Sequence, residues 1–259
     1  MVKPVLHNYH FGNGVTAFST TRQGGYSEGC YGQFNINRYC GDNVEAIARN
    51  RQALCQLLDI DESYLLMPHQ VHLTEIATID DDFLNLDDHE RQQCLEGIDA
   101  IMTDRAGVCI GVSTADCIPV LLYDNVHHAV CAIHAGWRGT VARIVEKAVK
   151  AMTETYGSDA ADIEAQIGPG ISLDSFEVGD EVYDAFAQAG FDMPAISQRQ
   201  AKWHIDLPNC NKQQFMSMGV KPEHISVSDI CTYKSHDTFF SARRLGINSG
   251  RIFTAIMMQ

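Results

Sequence analysis

The sequence predicts an α+β (mixed α/β) fold in a single domain spanning residues 1–259, built around a central β-hairpin. Three observations carry this. Short apolar segments of strand length occur at 108–113 (VCIGVS), 118–123 (IPVLLY) and 129–134 (AVCAIH). A strongly amphipathic helical pattern follows them, and strands and helices intermix along the chain without the strict alternation of a doubly wound parallel sheet.

The elements follow in order. GVTAFSTT alternates as a strand does and runs into the turn-rich RQGGYSEG (22–29). From Asp42 the period changes: Val44, Ile47, Leu54, Leu57 and Leu58 fall on one helical stripe, with Asp42 or Asn43 as N-cap. The acidic stretch DDDFLNLDDHERQQ (80–93) reads as a solvated surface segment. After the three central strands, Val141, Ile144, Val145, Ala148, Val149 and Met152 define a helix that ends near Gly157. Further helices are expected at 178–189 and after Leu207-Pro208, with Pro at the first turn, and a final strand at 251–258. No linker, repeat or low-complexity tract divides the chain.

Composition narrows the function classes. The chain carries 19 Lys+Arg against 33 Asp+Glu, a formal net charge of −14. Such a chain is ill suited to polyphosphate backbones or anionic lipid, so no nucleic-acid or membrane partner is expected. No apolar run approaches the ~20 residues of a membrane span, and MVKPVLHNYHFGNGV lacks the regions of a secretory signal. The expected location is cytoplasmic, with monomer and dimer both open. The nine cysteines are odd in number and scattered without a C-x-x-C, so most are read as reduced, buried small hydrophobes.

One cysteine stands apart. The turn Asp124-Asn125-Val126-His127 is centred between 125 and 126, which pairs Cys117 with His134 across the hairpin, both on one face. That bite suits either one metal ion or a thiolate–imidazolium pair. A one-residue slip would put the two on opposite faces. The loop HAGWRGT (134–140) joins two glycines and Arg138 to a helix start, a potential anion cradle, though an ordinary strand-to-helix turn also needs glycine there. Arg22 before Gly24-Gly25, and Arg243-Arg244 before Gly246, are further candidate anion contacts in an acidic chain.

PHQVH (68–72), STADCIPVLLYD (113–124) and AIHAGWRGT (132–140) resemble the signature of the laccase-domain, or polyphenol oxidase-like, purine nucleoside phosphorylase family. FSTTRQGGYS, FNINRYCGDN, NR at 50–51, GIDAIMTD, IGPGI with FEVGDEV, and FFSARRLGINSGR agree, so the resemblance covers nearly the whole chain. Gly170 stands where the family often has Cys, and Leu245 where it often has an acidic residue. The resemblance implies mixed sheets sandwiched by helices in αββα-like layers, and a mononuclear metal site with His72, Cys117 and His134 as ligands. It implies phosphorolysis of adenosine, inosine, guanosine and methylthioadenosine, with phosphate as co-substrate, and adenosine deamination.

Three protein ligands leave zinc a fourth position for water or substrate, which suits attack at C6 of adenine. Phosphorolysis needs phosphate held beside C1′, for which Arg138, Arg22 and the Arg243-Arg244 pair are candidates. Gln70 and Asp116 flank ligands and are candidate substrate hydrogen-bond or acid/base groups; strand alternation can equally turn Asp116 away. Copper is the alternative metal, since it outcompetes zinc at N/S sites. A copper-dependent polyphenol oxidase is the second reading, although the dense His-x-His pairs of such oxidases do not occur among the 11 histidines. Two further readings are a Cys117–His134 hydrolase or deamidase, in which His72 is surplus, and a purine-binding module without catalysis.

Overall fold

The computed structural model describes residues 2–259. Two mixed sheets stack face to face. The six-stranded sheet runs, edge to edge, Ile225–Val227, Ile163–Ile167, Ile118–Asp124, Ala129–Ala135, Ala100–Thr103 and Ile76–Thr78. The five-stranded sheet runs Leu6–Tyr9, Val15–Thr20, Ile252–Met258, Cys109–Thr114 and Leu65–Leu66. Side chains alternate across each strand, so each sheet supplies one face to the layer between them: Ile110, Val112 and Ile256 from one, Ile101, Leu121, Val130 and Ala132 from the other.

The outer faces are covered by helices. Val120, Leu122, Cys131 and Ile133 pack against the helices Ile144–Tyr156 and Leu207–Ser217, and Phe18, Phe253 and Cys109 pack with the helix Val44–Leu58 through Leu54 and Cys55. A small sheet of Glu177–Val178, Trp203–Ile205 and Ser197–Arg199 lies apart from these two. The layers are therefore αββα, as the resemblance implied. Among the described residues no helix is long and apolar enough to cross a membrane.

Three local readings are corrected, and a fourth, the solvated acidic stretch, gains helical structure. The hairpin register pairs Pro119 with His134 and Ile118 with Ala135, a shift of two residues from the expected pairing of Cys117 with His134. Strand pairing continues to Asp124↔Ala129, because the Asp124 carboxylate accepts from the amides of Val126 (2.8 Å) and His127 (3.2 Å) and places the bend after itself. A slip of two preserves the face, whereas a slip of one would have reversed it.

The helix expected from Val141 is broken. A short helix Trp137–Val141 gives way at Arg143, which has φ 62°, to Ile144–Tyr156, which closes on Gly157 at φ 77°. The acidic stretch is helical, with Asp81–Asn85 capped by Asp80 and Asp88–Cys94 opened by a capping box between Asp87 and Glu90. Its acids face solvent while Phe83 and Leu95 are buried.

In the first helix Asn43 is the N-cap as expected, but Val44 and Leu57 are exposed. The buried stripe is Ile47, Asn50, Arg51, Leu54 and Cys55, polar at two of five positions. Asn50 explains why: its amide donates to the Asn35 carbonyl (2.8 Å) and accepts from the Tyr26 amide (2.8 Å). This fixes the loop that carries Asn37, Tyr39 and Cys40 to the rim of the cavity described next.

Candidate metal centre

The chain passes from one sheet to the other between Thr114 and Ile118, and Cys117 sits in that crossover. The turn is tight: Asp116 has φ 84°, and its carbonyl accepts from the Ile171 amide (2.8 Å). His134 comes from the next strand, Ala129–Ala135, and is 2% exposed. His72 comes from the loop after Leu65–Leu66, exposed and at φ 65°. The donor atoms of His72, Cys117 and His134 all lie within 4.8 Å of one another, and the two imidazoles cross edge to face at 4.7 Å. An ion held about 2.0–2.3 Å from each donor in tetrahedral geometry needs the donors about 3.3–3.8 Å apart, a separation inside that bound. The three side chains line the floor of an open cavity of about 180 Å³.

A buried carboxylate, which the sequence reading did not single out, builds this cluster. Asp99 is fully buried. Its Oδ1 meets His134 Nδ1 at 2.7 Å and accepts from the His72 amide (3.0 Å), while Oδ2 accepts from the amides of Leu73 (2.7 Å) and Val71 (3.3 Å). One side chain thus orients a ligand ring, leaving its Nε2 for the cluster, and holds the left-handed backbone that presents the other imidazole. The only textual signal was its place in GIDAIMTD; a lone Asp before a strand announces no such role.

The electrostatics follow from the geometry. Burial by itself would raise the Cys117 thiol, but His134 and then His72 bring it down to about 6. Burial by itself would lower His134, but the Cys117 thiolate and Asp99 raise it to about 9. For Asp99, burial would raise the carboxyl, yet the His134 hydrogen bond and charge and the loop amides together hold it below the usual range. Without metal the cluster is a thiolate–imidazolium pair near neutral pH. In metal-free protein, iodoacetamide labelling of Cys117 should therefore rise with a midpoint near pH 6. A free thiol is about 3% thiolate at pH 7, against roughly 90% here, and lower intrinsic nucleophilicity trims the advantage to a few-fold. Zinc should abolish the labelling; a peptide-resolved rate profile with its midpoint above pH 8 would contradict this.

Gly136 packs against the cluster. A Cβ built there would lie 3.1 Å from His72 Cδ2, 3.2 Å from Cys117 Sγ and 3.6 Å from His134 Cε1. Its φ of −68° suits any L-residue, so the demand for glycine is the space beside the ligands. Gly136→Ala should weaken zinc binding on the order of tenfold, as other disturbances around ligands do, with little change in metal-free melting. Chelator competition and thermal melts check both.

The other candidate residues divide. Gln70 lines the cavity, but its amide is clamped both ways on Ser113, donating to the carbonyl and accepting from the amide at 2.8 Å each. Asp116 accepts from the Thr232 hydroxyl (2.7 Å) and the Arg243 amide (2.7 Å), closing the crossover turn. Arg22 donates to the carbonyls of Gly32 (2.9 Å) and His236 (2.7 Å), and Arg138 lies over the Trp137 ring at 4.3 Å. Arg243 reaches the Glu177 carbonyl (3.1 Å), and Arg244 the Tyr233 hydroxyl (3.5 Å). None of these four guanidinium groups lines the cavity; Arg251 does. It follows Gly250 in the same basic, glycine-rich turn, so the signal that drew attention to Arg243 and Arg244 applied to it too.

The chain is similar to known proteins over nearly its whole length. A purine nucleoside phosphorylase of Bacteroides thetaiotaomicron is 49% identical over 94% of this chain and 92% of its own. The adenosine deaminase RL5, from an unknown prokaryotic organism, is 44% identical over 94% of each chain. The crystal structure of the Bacillus licheniformis hypothetical protein YfiH superposes with a TM-score of 0.92 at 29% identity, covering 99% of this chain and 97% of that one. Residues 16–259 match the family model described as multi-copper polyphenol oxidoreductase laccase. With that match over nearly its whole length, the chain belongs to this laccase-like family, several of whose relatives bear the names of purine nucleoside enzymes.

Proposed function

We propose that this chain, acting as one domain over residues 1–259, is a cytoplasmic purine nucleoside phosphorylase that also deaminates adenosine and phosphorolyses methylthioadenosine. The observation that carries the reading is the convergence of His72, Cys117 and His134 at the floor of one cavity, in a chain half identical to an enzyme of that name. The donor set of two imidazoles and a thiolate suits zinc, with copper the alternative. When bound, the ion supplies a position at which water is activated or a substrate atom polarised. The chain's own residues do the rest. Asp99 holds both imidazoles in register; Arg251 offers a cation to inorganic phosphate from the cavity wall. Thr114 lines the same cavity, its buried hydroxyl without a partner among the described residues. Monomer and dimer are both compatible with this reading.

The family description names a multi-copper oxidoreductase, but only one cluster of three possible ligands occurs among the described residues. That leaves the oxidase reading second. The test is a nucleoside panel with metal quantified in the same sample. Phosphate-dependent release of free base from inosine shows phosphorolysis, and phosphate-independent inosine formation from adenosine shows deamination. If neither appears while copper-loaded protein turns over phenols rapidly, the purine reading is wrong.

A further inference from the structure

Phosphorolysis of a purine nucleoside breaks the C1′–N9 bond and leaves the electron pair on the base, which departs far more readily if a proton reaches N7 as the bond opens. The cluster residues are poorly placed to give that proton. His134 Nδ1 is committed to Asp99, and one ligand atom each of His134, Cys117 and His72 is turned toward the other two, where a metal would occupy it. The Gln70 amide is clamped on Ser113, and Arg251 donates to the carbonyls of Ile247, Ser249 and Gly250.

His69 differs from all of these. It lines the same cavity, three residues before His72. Its Nδ1 meets Glu96 Oε1 at 2.6 Å, and its ring stacks on Tyr39 at 4.0 Å and 18°. The backbone is pinned on both sides, the amide donating to the Leu95 carbonyl (2.9 Å) and the carbonyl accepting from the Gly97 amide (3.0 Å). An imidazole fixed by a carboxylate at one nitrogen, with the other nitrogen unclaimed among the described residues, is the arrangement of a general acid or base.

We propose that His69 is the general acid of the phosphorolytic step, with Glu96 and Tyr39 as the residues that position it; this rests on the phosphorylase reading above. A phosphate oxygen of HPO₄²⁻ bonds to C1′ as the C1′–N9 bond breaks. The purine takes the Nε2 proton of the His69 imidazolium at N7 and leaves neutral. The ribose 1-phosphate monoanion then loses its proton, which restores the imidazolium, so the balance is nucleoside plus HPO₄²⁻ to free base plus ribose 1-phosphate dianion.

The test compares inosine with 7-methylguanosine, whose alkylated N7 needs no proton. In zinc-loaded protein, His69→Asn should lower kcat on inosine by about 100-fold or more while changing kcat on 7-methylguanosine by less than about threefold, with zinc stoichiometry and melting temperature unchanged. Glu96→Gln should give a smaller loss with the same sparing of 7-methylguanosine. Equal losses on both substrates, or no loss on inosine, overturn the assignment of His69. A wild-type protein that releases no base from either nucleoside overturns the phosphorylase reading itself.

Discussion

Asp99→Ala should lower the melting temperature of the metal-free protein by about 10 °C and, separately, weaken zinc binding by about 10–100-fold. The first figure follows from the number of groups stranded. The carboxylate is fully buried, faces a buried imidazolium and accepts from three loop amides. Removing one partner of a buried pair costs about 3–5 kcal/mol, and a chain of this size shifts by roughly 2–4 °C per kcal/mol. The second figure is the usual cost of losing a group that orients a metal-ligating histidine. Both effects have one cause, since the carboxylate orients the His134 ring and holds the His72 backbone.

The stability loss should also depend on pH, with a definite sign. The Asp99 carboxyl is held below its usual range in the folded chain. Its contribution is therefore fully present above the unfolded value of about 4 and is lost as pH falls through the lower folded value. Denaturant titrations of wild type and variant should lie apart at pH 7 and converge only in strong acid. A gap that instead widens on acidification would contradict the assigned ionisation state. Asp99→Asn, which keeps the shape and removes the charge, should fall between the two proteins.

The sequence made some of this visible and hid the rest for physical reasons. The strands 118–123 and 129–134 and the helix around Val145 announced themselves because local apolar periodicity and tertiary burial agree there, and the helix after Leu207 through the proline at its first turn. The hairpin register was misread by two because an aspartate's hydrogen bonds to the amides after it moved the turn, a matter of side-chain geometry that turn composition does not encode. The face survived the error because strand periodicity is two. In the helix Val44–Leu58, Asn50 and Arg51 are buried by contacts to loops distant in the text, so reading apolar residues alone chose Val44 and Leu57, which are exposed.

At the site, the ligand types carried their own chemical signal. Asp99 and His69 did not, because the partner that gives each its place lies 27 residues away: the His72 amide for Asp99 and Glu96 for His69. Conversely, Arg22, Arg138, Arg243 and Arg244 looked like anion contacts because a guanidinium beside a turn glycine reads the same whether it meets a ligand or a carbonyl. The structure gives them carbonyl, hydroxyl and aromatic partners; Arg251 has carbonyl partners too, and what sets it apart is its place in the cavity lining.

Cys117→Ala should produce the larger functional loss and the smaller structural one. Removing one of three protein ligands should lower zinc affinity on the order of a thousandfold or more, taking phosphorolysis and deamination to background together. Yet Cys117 is half-buried, lies in a turn outside the apolar clusters and accepts no backbone amides, and His134 keeps Asp99 as its partner when the thiolate is lost, so truncation costs the fold less than the loss of Asp99 does. The metal-free melt should fall less than that of Asp99→Ala, while the rise in melting temperature that zinc gives the wild type should vanish, because stabilisation by a ligand requires the folded state to bind it. This pairing of results separates coordination from two competitors. A cysteine nucleophile would lose turnover while zinc binding survived, and a scaffold defect like that of Asp99→Ala would show in the metal-free melt. His134 supplies an independent check within the same variant: with the thiolate gone its imidazole loses the charge that does most to raise it to about 9. Its titration, followed by NMR of the ring protons in metal-free protein, should move downward towards the value set by burial and Asp99 alone. A His134 titration unchanged by the loss of the thiol would mean that the two side chains do not interact as their geometry requires.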